Sequence, residues 1–282
     1  MKIGAVCQLS SKTYPDIFGR IASFGFKTCQ LVCWDTEFTK DDLDAKAAEI
    51  KRQMEATGVT PSAFWAGWSG IHRWNFIEGP ATLGLVPVEH RWHRVEELKR
   101  GALLASKIGL KAVITHCGFL PEDMHDPLFH GTVLAITDVA AYCKSLGLGF
   151  WFETGQETPV TLLRTIQRVE QDSAVGPGVL GINLDPANLL LYGKGNPCDA
   201  LEVFGKYVRN IHVKDGMVPT DGVHLGLEKQ VGEGMVDFPR FVKKLLSIGF
   251  DGEFIIEREI PEGDEQKRDI RQTAENLVAW AK

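Results

Sequence analysis

The chain has 282 residues, of which 44% are hydrophobic and 24% charged, a composition typical of a globular protein with a large buried core. Its formal net charge of −6 does not favour a nucleic-acid partner, because proteins that bind the phosphate backbone usually carry an excess of basic residues. No apolar run reaches the roughly 18 residues that a membrane-spanning helix needs, so we expect no membrane partner.

Eight short apolar runs predict strands that are buried on both faces. In chain order they are Lys2–Leu9, Thr28–Trp34, Thr60–Trp65, Ala112–His116, Gly149–Glu153, Gly181–Asp185, Val208–Lys214 and Glu253–Glu259. Amphipathic stretches between them predict helices. One begins with Thr39 as its N-cap and ends at Gly58, and others end at Gly109 and Gly249, because glycine readily adopts the left-handed conformation that terminates helices. The segment Asp264–Lys282 predicts the last helix.

This alternation predicts an α/β protein, a (β/α)8 TIM barrel that forms a single domain over residues 1–282. The alternative is an open doubly wound sheet, which would usually have a glycine-rich phosphate loop after its first strand. The segment "CQLSSKTYP" is not such a loop. The longest irregular segment, Gly67–Val88, follows the third strand. It is either a functional loop, or a packed loop or oligomer contact.

The cysteines and the N-terminus indicate the compartment. The chain has no C-x-x-C pair among its six cysteines, which favours buried free thiols in a reducing environment over a disulfide framework or a structural zinc site. The apolar stretch in "MKIGAVCQLS" is too short for a signal peptide and resembles a first strand. We therefore expect a cytoplasmic protein.

Four consecutive predicted strands carry an acidic or imidazole side chain near their C-terminal ends. These residues are Glu153, Asp185, His212 and Glu257. The C-terminal ends of barrel strands gather at one rim, where barrel enzymes place their catalytic groups. Carboxylate oxygens and imidazole nitrogens suit Mn²⁺, Mg²⁺, Co²⁺ or Zn²⁺, and the absence of thiolates argues against a structural zinc.

Each of these residues also has a purely structural explanation. Asp185 could cap the following helix, Glu257 could pair with a lysine, and His212 could be a hydrogen-bonded core histidine. Together, however, the four groups would crowd one desolvated site, where unpaired charge is costly. We therefore predict that they bind one divalent metal ion.

Three further side chains near the same rim are candidates for binding substrate. His116 could contact substrate hydroxyls or transfer a proton, or it could simply bond a neighbouring carbonyl. Lys214 points the same way as His212, and could hold a substrate oxygen or a phosphate, or pair with a carboxylate such as Glu259. Trp65 could form an apolar wall against a sugar ring, or only pack in the core.

The motifs "FETGQE", "INLDPANLLLYGKG", "IHVKD" and "IIERE" occur in this order on strands five to eight. They resemble the xylose isomerase-like TIM-barrel superfamily, which includes sugar phosphate isomerases and epimerases, inosose dehydratase and endonuclease IV. The resemblance covers the whole chain. Its ketose 3-epimerase branch implies one divalent metal held by Glu153, Asp185, His212 and Glu257. It also implies that Glu153 and Glu257 are catalytic and move the proton on opposite faces of the sugar carbon.

Two positions depart from the epimerase pattern. Asn188, a further candidate for substrate binding, stands where these epimerases usually have a histidine. Lys214 and Asp215 follow His212 where they usually have an arginine, and the "HVKD" form looks more like inosose dehydratase.

These observations give one leading hypothesis and its alternatives. The leading hypothesis is a metal-dependent isomerase or epimerase of a small carbohydrate or sugar phosphate, which abstracts a proton next to a carbonyl through an enediolate. The alternative is a metal-dependent dehydratase or lyase acting on a keto-sugar or inosose. A non-catalytic carbohydrate-binding barrel and an endonuclease IV-like nuclease are less favoured. The resemblance also makes a homo-oligomer an expectation.

Overall fold

A computed structural model describes all 282 residues and contains a closed barrel of eight parallel strands, which confirms the predicted (β/α)8 fold. The barrel strands are β1 (Lys2–Gln8), β2 (Thr28–Cys33), β3 (Thr60–Ala66), β4 (Ala112–Thr115), β5 (Gly149–Glu153), β6 (Leu180–Leu184), β7 (Val208–Val213) and β10 (Glu253–Ile256). They pair in chain order, and β10 closes the barrel between β7 and β1. All these pairings are parallel, so the C-terminal ends of the eight strands form one rim.

Helices connect the strands. They are α1 (Gly19–Ser23), α2 (Leu43–Thr57), α3 (Gly79–Thr82), α4 (Val88–Ile108), α5 (Pro127–Ser145), α6 (Pro159–Glu170), α7 (Pro186–Leu191), α8 (Pro197–Phe204), α9 (Phe238–Ser247) and α10 (Asp264–Trp280), with a 3₁₀ turn at Gly205–Tyr207. No helix combines the length and apolar character that crossing a bilayer requires.

Some predicted boundaries differ from the structure. Helix α2 ends at Gly58, whose φ of 67° is in the left-handed region, as predicted. The predicted N-cap at Thr39 is wrong, because the helix begins at Leu43, after Asp42, whose φ is 54°. Six predicted strands are also too long at their C-terminal ends, five of them by one residue and the last by three, so that β6 ends at Leu184 and β10 at Ile256. The acidic residues that follow therefore lie on the rim, beyond the sheet.

Alternate strand residues face opposite sides of the barrel wall. One set packs under the helices in the main apolar core, and the other points into the barrel, where a small separate cluster consists of Val32, Ala63, Trp65, Ala112 and Ile114. Glu153 is in phase with Trp151, which packs against that inner cluster, so its carboxylate enters the barrel from the rim. All six cysteines are buried and unpaired, as predicted.

The irregular segment Gly67–Val88 is anchored by one buried arginine. The Arg94 guanidinium of α4 donates to the carbonyls of Ser69, Ile71, Thr82 and Gly84, and it packs over the Trp68 ring at 4.1 Å. The two ends of the segment are therefore packed, whereas residues 70–74 between them are exposed.

A second loop crosses the rim between β7 and α9, and sequence patterns did not predict its structure. Two short antiparallel strands, β8 (Asp215–Gly216) and β9 (Glu228–Lys229), form its base. The fully buried Asp215 carboxylate accepts four backbone N–H bonds, from Gly216, Gly232, Gly234 and Val236, at 2.8–3.0 Å. One side chain thus ties both ends of the loop together.

Candidate functional site

The four predicted metal ligands meet at the rim. One ligand atom from each of Glu153, Asp185, His212 and Glu257 lies within 4.8 Å of the others. Because β5, β6, β7 and β10 are consecutive around the barrel, the two glutamates occupy the ends of an arc, with Asp185 and His212 between them. The Nδ1 atom of His212 lies 3.0 Å from Glu153 Oε1 and 3.1 Å from Glu257 Oε2. We call these four residues the rim cluster.

The orientation of His212 is fixed by Gln30, a residue that sequence reasoning missed. His212 Nε2 lies 2.7 Å from Gln30 Oε1, and the Gln30 amide donates in turn to Asn183 Oδ1 at 3.3 Å. Asn210 Nδ2 donates to the same Asn183 oxygen at 2.6 Å. Since the Gln30 oxygen faces the imidazole, Nε2 carries the hydrogen and Nδ1 faces the carboxylates. The only signal in the sequence was a glutamine in the middle of an apolar strand, "TCQLVC".

The geometry of Asp185 is compatible with both roles that the sequence presented as alternatives. Its Oδ1 accepts the backbone N–H of Asn188 at 2.9 Å and so caps α7. Its Oδ2 is buried and has no hydrogen-bond partner. A carboxylate has two oxygens, so capping the helix leaves one oxygen for the rim cluster.

Burial and neighbouring charges act against each other in the rim cluster. Burial alone would raise the pKa of Glu153 and Glu257, but nearby cations outweigh it and lower both. These cations are the His212 and His116 imidazoles for Glu153, and Lys214 and His212 for Glu257. For Asp185 burial prevails, and its pKa is raised. Burial would lower the pKa of His212, but Glu153 and Glu257 raise it well above the usual value.

The donor set fits a divalent cation. Asp185 Oδ2 and His212 Nδ1 are both buried without hydrogen-bond partners, and unsatisfied buried polar atoms are costly. The imidazole must be neutral to ligate a metal, and three carboxylates around a neutral imidazole would leave an unbalanced negative charge without a cation. A divalent cation among oxygen and nitrogen ligands would resolve both problems, so the rim cluster could hold one.

Trp65 and His116 border Glu153. The Trp65 indole N–H donates to Glu153 Oε2, so the tryptophan positions a carboxylate as well as forming part of the wall. His116 Nε2 lies 3.7 Å from Glu153 Oε1. Its Nδ1 is buried without a hydrogen-bond partner. The bond to a neighbouring carbonyl, which was the structural alternative for His116, is therefore absent.

Lys214 and Asn188 also border the cluster. The Lys214 ammonium lies 2.6 Å from Glu259 Oε2 and 3.3 Å from Glu257 Oε2, so the predicted pairing with Glu259 is present. Lys214 is buried, but these carboxylates outweigh the effect of burial and raise its pKa well above the usual value. Asn188 Nδ2 donates to the Thr154 carbonyl at 3.2 Å.

A cavity of about 470 Å³ opens onto the rim cluster. Glu153, Glu257 and all four candidate substrate-binding residues (Trp65, His116, Asn188 and Lys214) line it. Its wall also includes residues that sequence reasoning did not single out for the site, among them Trp34, Trp74, Tyr192, Arg20 and Arg258. Trp74 belongs to the Gly67–Val88 segment, so that loop is packed at its base and also faces the cavity.

Comparisons with known proteins agree with this architecture. The family model described as "Xylose isomerase-like TIM barrel" matches residues 18–280. A solved xylose isomerase domain protein from Planctomyces limnophilus is 31% identical, with a TM-score of 0.89 over 99% of this chain and 96% of that one. No curated protein sequence matches the chain.

Two more distant structures share the fold. A D-tagatose 3-epimerase-like protein is 19% identical, with a TM-score of 0.72 over 99% of this chain and 97% of its own. A probable 3-DHS dehydratase from Bacillus anthracis is 14% identical, with a TM-score of 0.68 over 99% of each chain. The matched family model and the 31% identical relative show that this chain belongs to the xylose isomerase-like TIM-barrel family.

Proposed function

We propose that the protein is a metal-dependent isomerase or epimerase of a small carbohydrate, which moves a proton at a carbon next to a carbonyl. The observation that carries the proposal is the arrangement of Glu153 and Glu257. They stand at opposite ends of the rim cluster, each about 3 Å from the same imidazole nitrogen, and both line the cavity. The D-tagatose 3-epimerase-like structure of the same fold supports this choice of reaction.

Glu153, Asp185, His212 and Glu257 would hold the cation. When bound, a divalent cation polarises a carbonyl or hydroxyl oxygen and stabilises the negative charge that develops there. Gln30 contributes by keeping the hydrogen of His212 on Nε2, which leaves Nδ1 free for ligation.

The two glutamates would move the proton. Because their pKa values are lowered, both carboxylates are ionised near neutral pH and can accept a proton. The Trp65 N–H fixes the Oε2 atom of Glu153, and Lys214 lies 3.3 Å from Oε2 of Glu257. A sugar carbon placed between the two carboxylates could lose a proton to one and regain it from the other on the opposite face.

His116 and Lys214 would orient the substrate oxygens. The His116 ring has one nitrogen near Glu153 and one buried nitrogen without a partner, so it has hydrogen-bonding capacity to spare. The Lys214 ammonium is a donor at the cavity wall and stays protonated because its carboxylate neighbours raise its pKa.

Lys214 also supports a second candidate, a dehydratase acting next to a carbonyl. An ammonium beside Glu257 is placed to hold a hydroxyl group as it leaves the adjacent carbon, while one glutamate removes the proton. A dehydratase among the relatives of the same fold is consistent with this chemistry.

Metal content and solvent exchange test these proposals together. Mass spectrometry of the purified protein, after incubation with Mn²⁺, Mg²⁺, Co²⁺ or Zn²⁺, should find about one divalent ion per chain. The Asp185→Asn and His212→Ala variants should lose it, and Asp221→Asn, a half-exposed aspartate outside the site, should keep it. A chain that binds none of these ions would refute the metal-dependent reaction.

A panel of keto-sugars in deuterated water then distinguishes the reactions. An isomerase or epimerase should give a product of the same formula that carries solvent deuterium on carbon. A dehydratase should give a product lighter by one water, with new ultraviolet absorbance from an unsaturated ketone.

A further inference from the structure

The cavity extends well beyond the rim cluster. Its volume of about 470 Å³ corresponds to roughly sixteen waters at about 30 Å³ each, whereas a free hexose has about a dozen non-hydrogen atoms. A single sugar ring beside Glu153 and Glu257 would therefore leave part of the space unfilled.

The wall of the outer space is aromatic. Trp65 and His116 form an inner layer that contacts Glu153 directly. An outer layer lies one ring farther from the cluster, where Trp34 packs on Trp65 with ring centroids 4.6 Å apart and Trp74 packs on His116 at 5.5 Å. The two outer rings are 6.2 Å apart and meet nearly at right angles.

The outer rings pack on each other and on the inner layer, and Trp34 also stacks on His72 with ring centroids 5.4 Å apart, yet both rings remain partly exposed. Trp34 is 36% exposed and Trp74 is 38% exposed, although both line a concave site. A large apolar ring gains most from burial against another flat apolar face. The outer space is therefore suited to a second ring on the substrate.

The charges of the wall argue against a phosphate group on the substrate. The cavity is lined by the cations Arg20, Lys214 and Arg258, and each already pairs with a carboxylate. Arg20 bonds Glu262 at 2.6 Å, Lys214 bonds Glu259 at 2.6 Å, and Arg258 bonds Glu228 and Asp269, both at 2.8 Å. A phosphate carries about two negative charges and would find no unpaired arginine or lysine in the wall to balance them.

We propose that the cavity takes an uncharged sugar joined to a second ring by a glycosidic bond. The reacting sugar lies beside the rim cluster, and the second ring packs against Trp34 and Trp74. This inference rests on the proposed function, since it names the substrate class of the same site.

Calorimetric titration of the Mg²⁺-supplemented protein tests it with matched probes. The probes are glucose, its methyl and phenyl β-glycosides and its 6-phosphate, with the corresponding galactose and mannose series. In at least one series the phenyl glycoside should bind about tenfold more tightly than the methyl glycoside, because only the former presents a second flat ring. The 6-phosphate should bind no more tightly than the free sugar.

Three tryptophan variants locate the effect. Trp34→Ala and Trp74→Ala should bring the phenyl-to-methyl ratio to about one, and both should fold, because these side chains are more than a third exposed. Trp92→Ala removes an exposed tryptophan of α4 that does not line the cavity, and should leave the ratio at about ten.

The outcomes separate the two proposals. Free sugars that bind as tightly as their phenyl glycosides, or phosphorylated sugars that bind more tightly than either, would overturn the glycoside inference and leave the carbohydrate function standing. A metal-loaded protein that binds no member of any series would overturn both.

Discussion

The buried Asp215 carboxylate offers a sharp test of how the rim loops are held. Its Oδ1 accepts N–H bonds from Gly216 and Val236, and its Oδ2 accepts bonds from Gly232 and Gly234. The Asp215→Asn variant has nearly the same shape but only one acceptor oxygen. Its amide group would direct N–H donors at two backbone N–H donors, so two of the four bonds would be lost.

The expected cost follows from those two bonds. A hydrogen bond to a charged group contributes about 1.5–3 kcal/mol, so the loss of two should lower the free energy of unfolding by roughly 3–6 kcal/mol. For a chain of this size each kcal/mol shifts the melting temperature by about 2–4 °C, so the midpoint should fall by roughly 6–24 °C.

Urea denaturation followed by circular dichroism measures this change, with thermal melts alongside. The matched control is Asp221→Asn in the same loop, whose carboxylate also accepts two backbone N–H bonds, from Val223 and His224, but is half-exposed. Solvent can replace its bonds, so its urea midpoint should stay close to that of the parent protein. An Asp215→Asn protein with the parent midpoint would refute the idea that this carboxylate organises the loop.

Three further predictions use other buried polar groups. Gln30→Leu should weaken Mn²⁺ binding about 10–100-fold in calorimetric titrations, because His212 loses the partner that fixes its tautomer; an unchanged affinity would contradict this role. Burial raises the pKa of the Glu157 carboxyl to about 8. Between about pH 5 and 8 the native state therefore holds a proton that the unfolded chain has lost, so the free energy of unfolding falls as pH rises through this range. Glu157→Gln cannot ionise, so its stability relative to the parent, measured by urea unfolding at pH 5, 6.5 and 8, should improve steadily with pH; a constant difference would oppose the assignment. Arg94→Met leaves four loop carbonyls without their donor, so it should lower the free energy of unfolding by about 2–5 kcal/mol and speed trypsin cleavage between residues 67 and 88. Cleavage of the Arg94→Met variant at the parent rate would count against the idea that Arg94 anchors this segment.

The barrel and the rim cluster could both be predicted because they follow from local patterns. Apolar runs of strand length, each followed by an amphipathic stretch, determine eight strand–helix units, and parallel pairing brings the strand ends together at one rim. Residues at the ends of neighbouring strands, such as Glu153 and Asp185, are therefore close in space whatever the details of the helices.

The remainder depends on contacts that no local pattern encodes. Gln30 reaches His212 across the barrel, 182 residues away in sequence. Trp74 lies in an irregular loop whose path depends on Arg94. Asp215 accepts hydrogen bonds from backbone groups near residue 233, and these contacts form only in the folded loop. Even at Asp185 the sequence posed a choice between capping and ligation, whereas one carboxylate oxygen caps the helix and leaves the other available for ligation.

The distribution of the site around the barrel has a consequence for how new specificities could be obtained. The ionisable cluster comes from the β5, β6, β7 and β10 side, whereas the aromatic wall comes from the segments after β2, β3 and β4. Trp34 and Trp74 lie one ring farther out than Trp65 and His116, the residues that contact Glu153. A mutant library confined to the aromatic side should therefore yield variants with altered substrate preference that retain metal binding, and this half of the rim is the natural starting point for directed evolution.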